Sequence, residues 1–244
     1  MRIETNEKLV RRNRQIAQYL FFVTFAVLIG GLFIINQQTA STEDTFSFIV
    51  IAQALLLPVA FISTIISVRM TNQWVRVPRP ENVIREGLKG ISTRSVLYNY
   101  YHNPARHLLV TPQGVFVIIT RYHDGKFIVE DDKWRANRTL LLRIVNLLRF
   151  DGLGNPMADV QRAVAHAQKL IHAIEPNVEI HPIIVFTDPR ASVEVISSSV
   201  PVVYYNGKKT IPLKETIKDY STADKRDPLT PDQIAEFEAV TLSR

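Results

Sequence analysis

The sequence contains no cysteine among its 244 residues. Disulfides, Cys-ligated zinc, iron–sulfur clusters and a thiol nucleophile are therefore excluded. Lysine and arginine are also absent from Gln15 through Val68, although the whole chain carries 29 of them. Because charged residues make up 21% of the chain, a stretch of this length without a cation indicates membrane-spanning segments rather than a soluble core.

Two apolar runs lie inside this cation-free stretch, at residues 16–35 and 46–68. Each has the length of about 20 residues that a helix needs to cross the hydrocarbon core. The first run exceeds the ~7–15 apolar residues of a signal peptide and a second run follows, which favours an anchor over a cleaved leader. Neither run contains Asp, Glu, Lys, Arg or His, so the pair is typical of an anchor rather than a transport pathway.

The flanking charges predict the orientation of this transmembrane hairpin. The N-terminal tail, residues 1–15, carries five Lys or Arg and two Glu, whereas the loop at 36–45 has no cation and two acidic residues. Arg69 and Arg76 follow the second run. The positive-inside rule therefore predicts a multi-pass protein of the plasma (cytoplasmic) membrane with both termini in the cytoplasm.

The remaining chain predicts one α/β domain at 81–222, joined to the hairpin by a Pro-containing linker at 69–80 and followed by a tail at 223–244 with a short helix. The expected elements are a helix at 81–91, strands at 95–101, 107–111, 115–121, 126–130, 178–187 and 201–205, and helices at 138–149, 155–174, 213–220 and from 231.

Local signals position several turns and caps. Residues 95–130 are expected to form an antiparallel meander with tight turns at Pro112–Gly114 and at Asp124–Gly125, since Asp-Gly is a strong hairpin signal. Asn155 is expected to be an N-cap, with Pro156 at the first helical position.

The segment Ala105–Arg121 resembles the signature of the nuclease-related domain family, NERD. The residues that match its pattern are His107, Pro112, Gly114 and Thr120, together with the apolar run between Gly114 and Thr120. The resemblance covers about 81–205; its downstream part rests on Asp124-Gly125, Trp134, Asn155-Pro156 and the strand at 180–188. It implies a restriction-endonuclease-like mixed sheet flanked by helices, and a nuclease chemistry in which two carboxylates hold a divalent cation and a lysine stabilises phosphate charge.

Three positions of this sequence depart from the family pattern. Arg106 stands where the family has Asp, Ile119 where it has Glu, and Arg121 where it has Lys. Mg²⁺ is a hard cation that prefers oxygen ligands, so we expect a degenerate site with no catalytic residue, no metal ligand and no cofactor. The favoured interpretation is a non-catalytic binding or assembly module.

Two alternatives remain open. One is a divergent Mg²⁺-dependent nuclease whose carboxylates have moved; the other is a membrane scaffold that docks an unidentified protein partner. The carboxylates available for the first alternative are Glu86, Glu130, Asp131 and Asp132, which are otherwise ordinary surface charges.

The candidate binding residues are all arginines: Arg106, Arg121, Arg138, Arg143 and Arg149. The last three share one face of the predicted helix at 138–149. With a net charge of +6, the chain is expected to contact the lipid bilayer and to bind nucleic acid weakly.

The topology can be tested with single cysteines, because the protein has none of its own. A Thr42→Cys variant should react with a membrane-impermeant thiol reagent in intact cells. A Ser92→Cys variant should react only after the cells are permeabilised. The reverse labelling pattern would contradict the orientation deduced from the loop charges.

Overall fold

The computed structural model describes residues 1–36, 43–136, 153–208, 210–223 and 229–242. These residues divide into two compact units. The helical unit lies within Lys8–Val77, and the α/β unit contains Met1–Glu7 together with the described residues from Pro78 onwards.

The helical unit consists of two long helices, α1 (Glu7–Asn36) and α2 (Glu43–Trp74), which contain the two predicted apolar runs. The buried positions of α1 recur every seven residues: Val10, Ala17, Thr24 and Gly31. This period is that of an antiparallel helix pair packed along one seam. A Cβ at Gly31 would collide with the Leu56 side chain of α2. The hydroxyls of Thr24 and Ser63 also share a hydrogen bond of 2.6 Å.

The α/β unit contains two sheets. The strands are β1 (Arg2–Thr5), β2 (Val96–Asn99), β3 (His107–Thr111), β4 (Gly114–Arg121), β5 (Gly125–Glu130), β6 (Lys133–Ala136), β7 (Ile180–Phe186), β8 (Ala191–Val195) and β9 (Val202–Val203). The larger sheet has the order β1-β2-β3-β4-β7-β9, and the smaller one β6-β5-β8.

The predicted meander is confirmed for its first three strands. β2, β3 and β4 pair antiparallel, and Thr111 faces Gly114 across a two-residue turn of Pro112 and Gln113. Gly114 has a φ of 147°, a conformation that side chains other than glycine rarely adopt. The tight turn at Pro112–Gly114 is therefore confirmed.

The predicted hairpin at Asp124–Gly125 is wrong. β4 pairs with β7 in the larger sheet, whereas β5 pairs with β6 and β8 in the smaller one. The Asp-Gly dipeptide therefore carries the chain from one sheet to the other, although Gly125 does have a positive φ of 102°. The tight hairpin lies instead between β5 and β6, where Asp131 and Asp132 have φ angles of 49° and 61°, as a type I′ turn requires.

The first residues of the chain form a strand rather than a free basic tail. β1 pairs in parallel with β2, with Arg2 opposite Val96 and Thr5 opposite Asn99. The amide of Arg2 donates to the carbonyl of Ser95 at 2.9 Å. The amide of Asn6 donates to the carbonyl of Asn99 at 3.0 Å. The residues that precede the first apolar helix thus belong to the sheet that follows the second one.

Helices cover both faces of the larger sheet, and they are α3 (Pro80–Gly87), α4 (Pro156–Ile171), α5 (Leu213–Ala223) and α6 (Pro231–Leu242). α3 and α5 pack on one face through a cluster that includes Ile84, Ile118 and Leu213. α4, α6 and the smaller sheet pack on the other face through a cluster that includes Val117, Val160 and Phe237. The mixed sheet with flanking helices is therefore as predicted.

The start of α4 also follows the prediction. Asn155 is the N-cap, its side-chain oxygen accepts from the amide of Ala158 at 3.1 Å, and Pro156 opens the helix. The helix ends at Ile171, three residues before the predicted end. The predicted helix at 138–149, with Arg138, Arg143 and Arg149, lies outside the described residues.

A proline in β1 tests whether this strand stabilises the sheet. The amides of Arg2 and Asn6 point to β2, so the alternation of a parallel ladder directs the Glu4 amide the same way. Glu4→Pro removes that donor and should lower the free energy of unfolding by about 1–3 kcal/mol. Glu4→Ala keeps the amide and is the matched control. Equal melting temperatures of the two full-length variants in detergent would contradict the pairing.

Candidate functional site

The positions equivalent to the family's charged residues lie at one end of the β3–β4 ladder. His107 and Ile118 form the last pair of this ladder. One step further along the two strands lie Arg106 and Ile119. Arg121 follows two residues later and shares its face of β4 with Ile119, because side chains alternate along a strand. The sequence positions that we singled out therefore come together in the fold.

Ile119 belongs to the hydrophobic core. Its side chain is 7% exposed and lies in the same cluster as Val117 on β4 and Val160 on α4. An aliphatic side chain has no lone pair to offer a cation. This position of the site therefore contributes packing rather than ligation.

Arg121 forms an ion pair with a residue that the sequence analysis did not single out. Its Nη2 donates to Oδ2 of Asp159, in the first turn of α4, at 2.5 Å. The Arg121 side chain is only 11% exposed, and its Nε is buried without a hydrogen-bond partner in the described part of the chain. Asp159 also pairs with Arg162, three residues further along the helix. One carboxylate is therefore shared between two guanidinium groups.

The backbone of Arg121 is held as firmly as its side chain. Its carbonyl accepts from the amide of Thr187 at 2.8 Å and from the Thr187 hydroxyl at 3.2 Å. Thr187 follows β7, the parallel neighbour of β4. The Arg121 side chain therefore extends from a backbone position that two hydrogen bonds hold at the end of β4 and β7.

Arg106 precedes β3 in an irregular segment and is exposed. Its carbonyl accepts from the amide of Tyr100 at 2.6 Å, and its own amide donates to the carbonyl of Pro104 at 2.9 Å. Tyr100 has a φ of 65°, and its hydroxyl donates to Glu81 at 2.9 Å. The backbone here is constrained, and the residue as a whole is exposed.

His107 is a buried structural residue. Nδ1 of His107 lies 2.8 Å from Oδ1 of Asn99, whose Nδ2 donates to the hydroxyl of Thr5 at 3.1 Å. Burial, and secondarily the charge of Arg106, lower the pKa of His107 to about 3. The imidazole is therefore neutral at physiological pH. This network connects the N-terminal strand to the candidate site.

Three of the four carboxylates considered as relocated ligands contact other groups, and the fourth, Glu130, is exposed. Glu86 forms an ion pair with Lys89 near α3, and Glu130 faces Lys133 in the β5–β6 hairpin. Asp132 accepts from the amide and hydroxyl of Ser199, both at 2.8 Å. These two bonds lower the pKa of Asp132.

Asp131 likewise accepts from the hydroxyl of Ser197 at 2.8 Å. In the described ranges, no three His, Asp or Glu side chains are grouped so that they could hold a metal ion.

Sequence reasoning missed Asp159, Asn99 and Thr5. One signal could have indicated the position of Asp159. It lies four residues after the predicted N-cap, in the first turn of α4. Thr5 and Asn99 carry no such signal. Their contact depends on the pairing of β1 with β2, which joins distant parts of the chain.

The pKa of His107 predicts a loss of stability in acid. Its value of about 3 in the folded chain is lower than the ordinary ~6.5, so the unfolded chain takes up a proton first as the pH falls below ~6.5. Between pH 7.5 and 5.0 this linkage should lower the free energy of unfolding by about 2 kcal/mol, a melting shift of about 4–8 °C. In His107→Gln, which has no imidazole to protonate, the drop in melting temperature between pH 7.5 and 5.0 should be smaller by about 4–8 °C. Parallel pH profiles of the two proteins would show that His107 does not cause the shift.

Comparison with known proteins agrees with the resemblance seen in the sequence. No curated protein matches the chain, and no solved structure matches it. Residues 81–187 match the model of the nuclease-related domain family. This range begins at the start of α3 and ends just after β7, so it includes the β3–β4 ladder, Arg121 and Asp159. The chain therefore contains a nuclease-related domain, NERD, at residues 81–187.

Proposed function

We propose that this chain is a membrane-tethered nuclease-related domain that binds an anionic or protein partner and does not cleave nucleic acid. The observation that carries this proposal is the chemistry at Arg106, Ile119 and Arg121. Two of these positions are cationic and the third is a buried aliphatic residue. A divalent cation needs oxygen ligands and is repelled by guanidinium groups.

Asp159 is the carboxylate that lies beside Arg121, and its environment opposes metal binding. It accepts from Arg121 and pairs with Arg162. A cation at Asp159 would have to displace these contacts and lie beside both positive charges. With one carboxylate between two guanidinium groups, the surroundings of Arg121 keep a net positive charge.

The same residue supplies the rival proposal. A divergent nuclease could use Asp159 as a relocated ligand, because it lies beside Arg121, the residue at the family's cationic position. We favour the binding role because the one carboxylate there is already held by two arginines, whose positive charges would repel a divalent cation.

The exposed surface of the helical unit supports a membrane tether. Segments of α1 and α2 have the length and mean hydropathy of a membrane span, and only 17% and 12% of their most apolar windows are buried. The exposed side chains include Phe22, Phe33, Leu55 and Ile62. A helix pair that exposes large apolar residues around its circumference is stable in lipid and would aggregate in water.

The pairing of β1 with β2 supports the proposed topology. β1 immediately precedes α1, and β2 follows α2 in the chain, yet both belong to one sheet. If α1 and α2 cross a bilayer, the chain must return to the side from which it started. Together with the positive-inside rule, this favours our proposal that the termini and the nuclease-related domain lie in the cytoplasm, at the plasma membrane. The restriction-endonuclease-like architecture is part of the same proposal, with a mixed sheet whose β4 carries the degenerate site.

The proposal is tested with the full-length protein in detergent, incubated with Mg²⁺ or Mn²⁺ and labelled DNA or RNA. We expect no cleavage above the level seen with EDTA. Binding should be weak and should decline with salt, since released counterions drive it. Arg106→Gln should weaken binding more than Arg135→Gln, which removes an exposed cation on β6.

Two variants identify the opposite outcome. Asp159→Asn removes the carboxylate beside Arg121, and Glu130→Ala removes an exposed carboxylate from the β5–β6 hairpin. Metal-dependent cleavage that Asp159→Asn abolishes and Glu130→Ala preserves would establish the divergent nuclease instead.

A further inference from the structure

Four cations of the helical unit have no partner in the described part of the chain. They are exposed and form no ion pair or side-chain hydrogen bond: Lys8, Arg11, Arg12 and Arg69. Arg14, in the same region, differs because its Nε donates to the carbonyl of Trp74 at the end of α2 at 3.1 Å. Three of the four free cations lie within two turns of α1.

These three cations share one face of the helix. At about 100° per residue, Lys8, Arg11 and Arg12 fall within about 100° of one another. The seam residues Val10 and Ala17 fall on the opposite side, against α2. The cationic face therefore points away from the partner helix, towards whatever surrounds the pair.

The same face becomes aromatic as it continues along α1. Tyr19 and Phe22 lie in line with the three cations and are 69% and 66% exposed. Tyr19 is about 10 Å from Arg12 along the helix axis. Cations followed by exposed aromatic residues and then by an apolar run match the layers of a bilayer, from headgroup phosphates through the interface to the acyl chains.

Like charges three and four positions apart on a helix repel each other. An anion bound between them removes this repulsion. From the charge, the exposure and the layered face, we propose that Lys8, Arg11 and Arg12 form a binding site for the headgroup of an anionic phospholipid. The proposal rests on the membrane tether and adds a specific ligand class and location on α1.

The test uses the full-length protein purified in a non-ionic detergent. Phosphatidylglycerol should raise the melting temperature by about 2–4 °C more than phosphatidylcholine, because a ligand that binds the folded state stabilises it. The amount of phosphatidylglycerol that co-purifies with the protein is the second measurement. Inorganic phosphate at the same concentration should cause no shift, which separates a lipid site from a simple phosphate site.

Matched variants locate the effect. Lys8→Gln, Arg11→Gln and Arg12→Gln together should abolish the preference for phosphatidylglycerol, whereas Arg11→Lys with Arg12→Lys should retain it. A control with Arg69→Gln, Arg94→Gln and Arg135→Gln removes the same number of exposed cations elsewhere and should also retain it. Equal shifts with both lipids, or equal losses in the two triple variants, would overturn the site.

Extraction of native membranes with alkaline carbonate separates the two proposals. A chain that stays in the membrane pellet but shows no lipid preference leaves the tether intact and refutes the headgroup site. A chain released into the supernatant refutes the tether and this site together.

Discussion

The parallel pairing of β1 with β2 is the constraint on which the organisation of this chain depends. It places residues Arg2–Thr5 in the sheet of the nuclease-related domain, with one residue between β1 and α1. The two apolar helices therefore lie in the chain between two strands, β1 and β2, that pair with each other in one sheet. The chain enters α1 directly after β1 and returns to the same sheet after α2.

This arrangement connects β1 to the interior of the larger sheet. Thr5, at the end of β1, bonds to Asn99, which bonds to the buried His107 next to Arg106. A neutral imidazole suits this position because protonation would place a charge in the core beside a guanidinium. The network consists of side chains from three neighbouring strands, and it would lose one member if β1 were detached.

The candidate site combines a hydrophobic contact with an ion pair. Ile119 extends the apolar face of β4 towards the end of the strand. Arg121, which would otherwise be an isolated and largely buried cation, forms an ion pair with Asp159. An unpaired buried charge is strongly destabilising. An ion pair and a hydrophobic contact therefore occupy this end of β4.

Sequence patterns predicted the features that depend on local chemistry. The apolar helices, the Pro112–Gly114 turn, the Asn155 cap and the strands β2, β3, β4 and β7 all rest on signals within a few residues or on an uninterrupted apolar run. The Asp124–Gly125 hairpin failed because a turn signal reports local backbone conformation and not the strand that the next segment joins. Gly125 does have the positive φ that the dipeptide indicates, but β5 pairs in a different sheet.

By itself, the sequence determined the two-helix apolar segment, the mixed α/β character of the remainder and its likeness to the nuclease-related domain family. Composition, periodicity and motif spacing are properties of the chain that need no contact between distant residues. Only the tertiary structure decided that β1 completes the larger sheet, that β5 pairs with β8 in the smaller one, and that Asp159 forms an ion pair with Arg121. Each of these depends on pairing or packing between residues far apart in the chain, and such contacts are set by the free energy of the whole fold rather than by local preference.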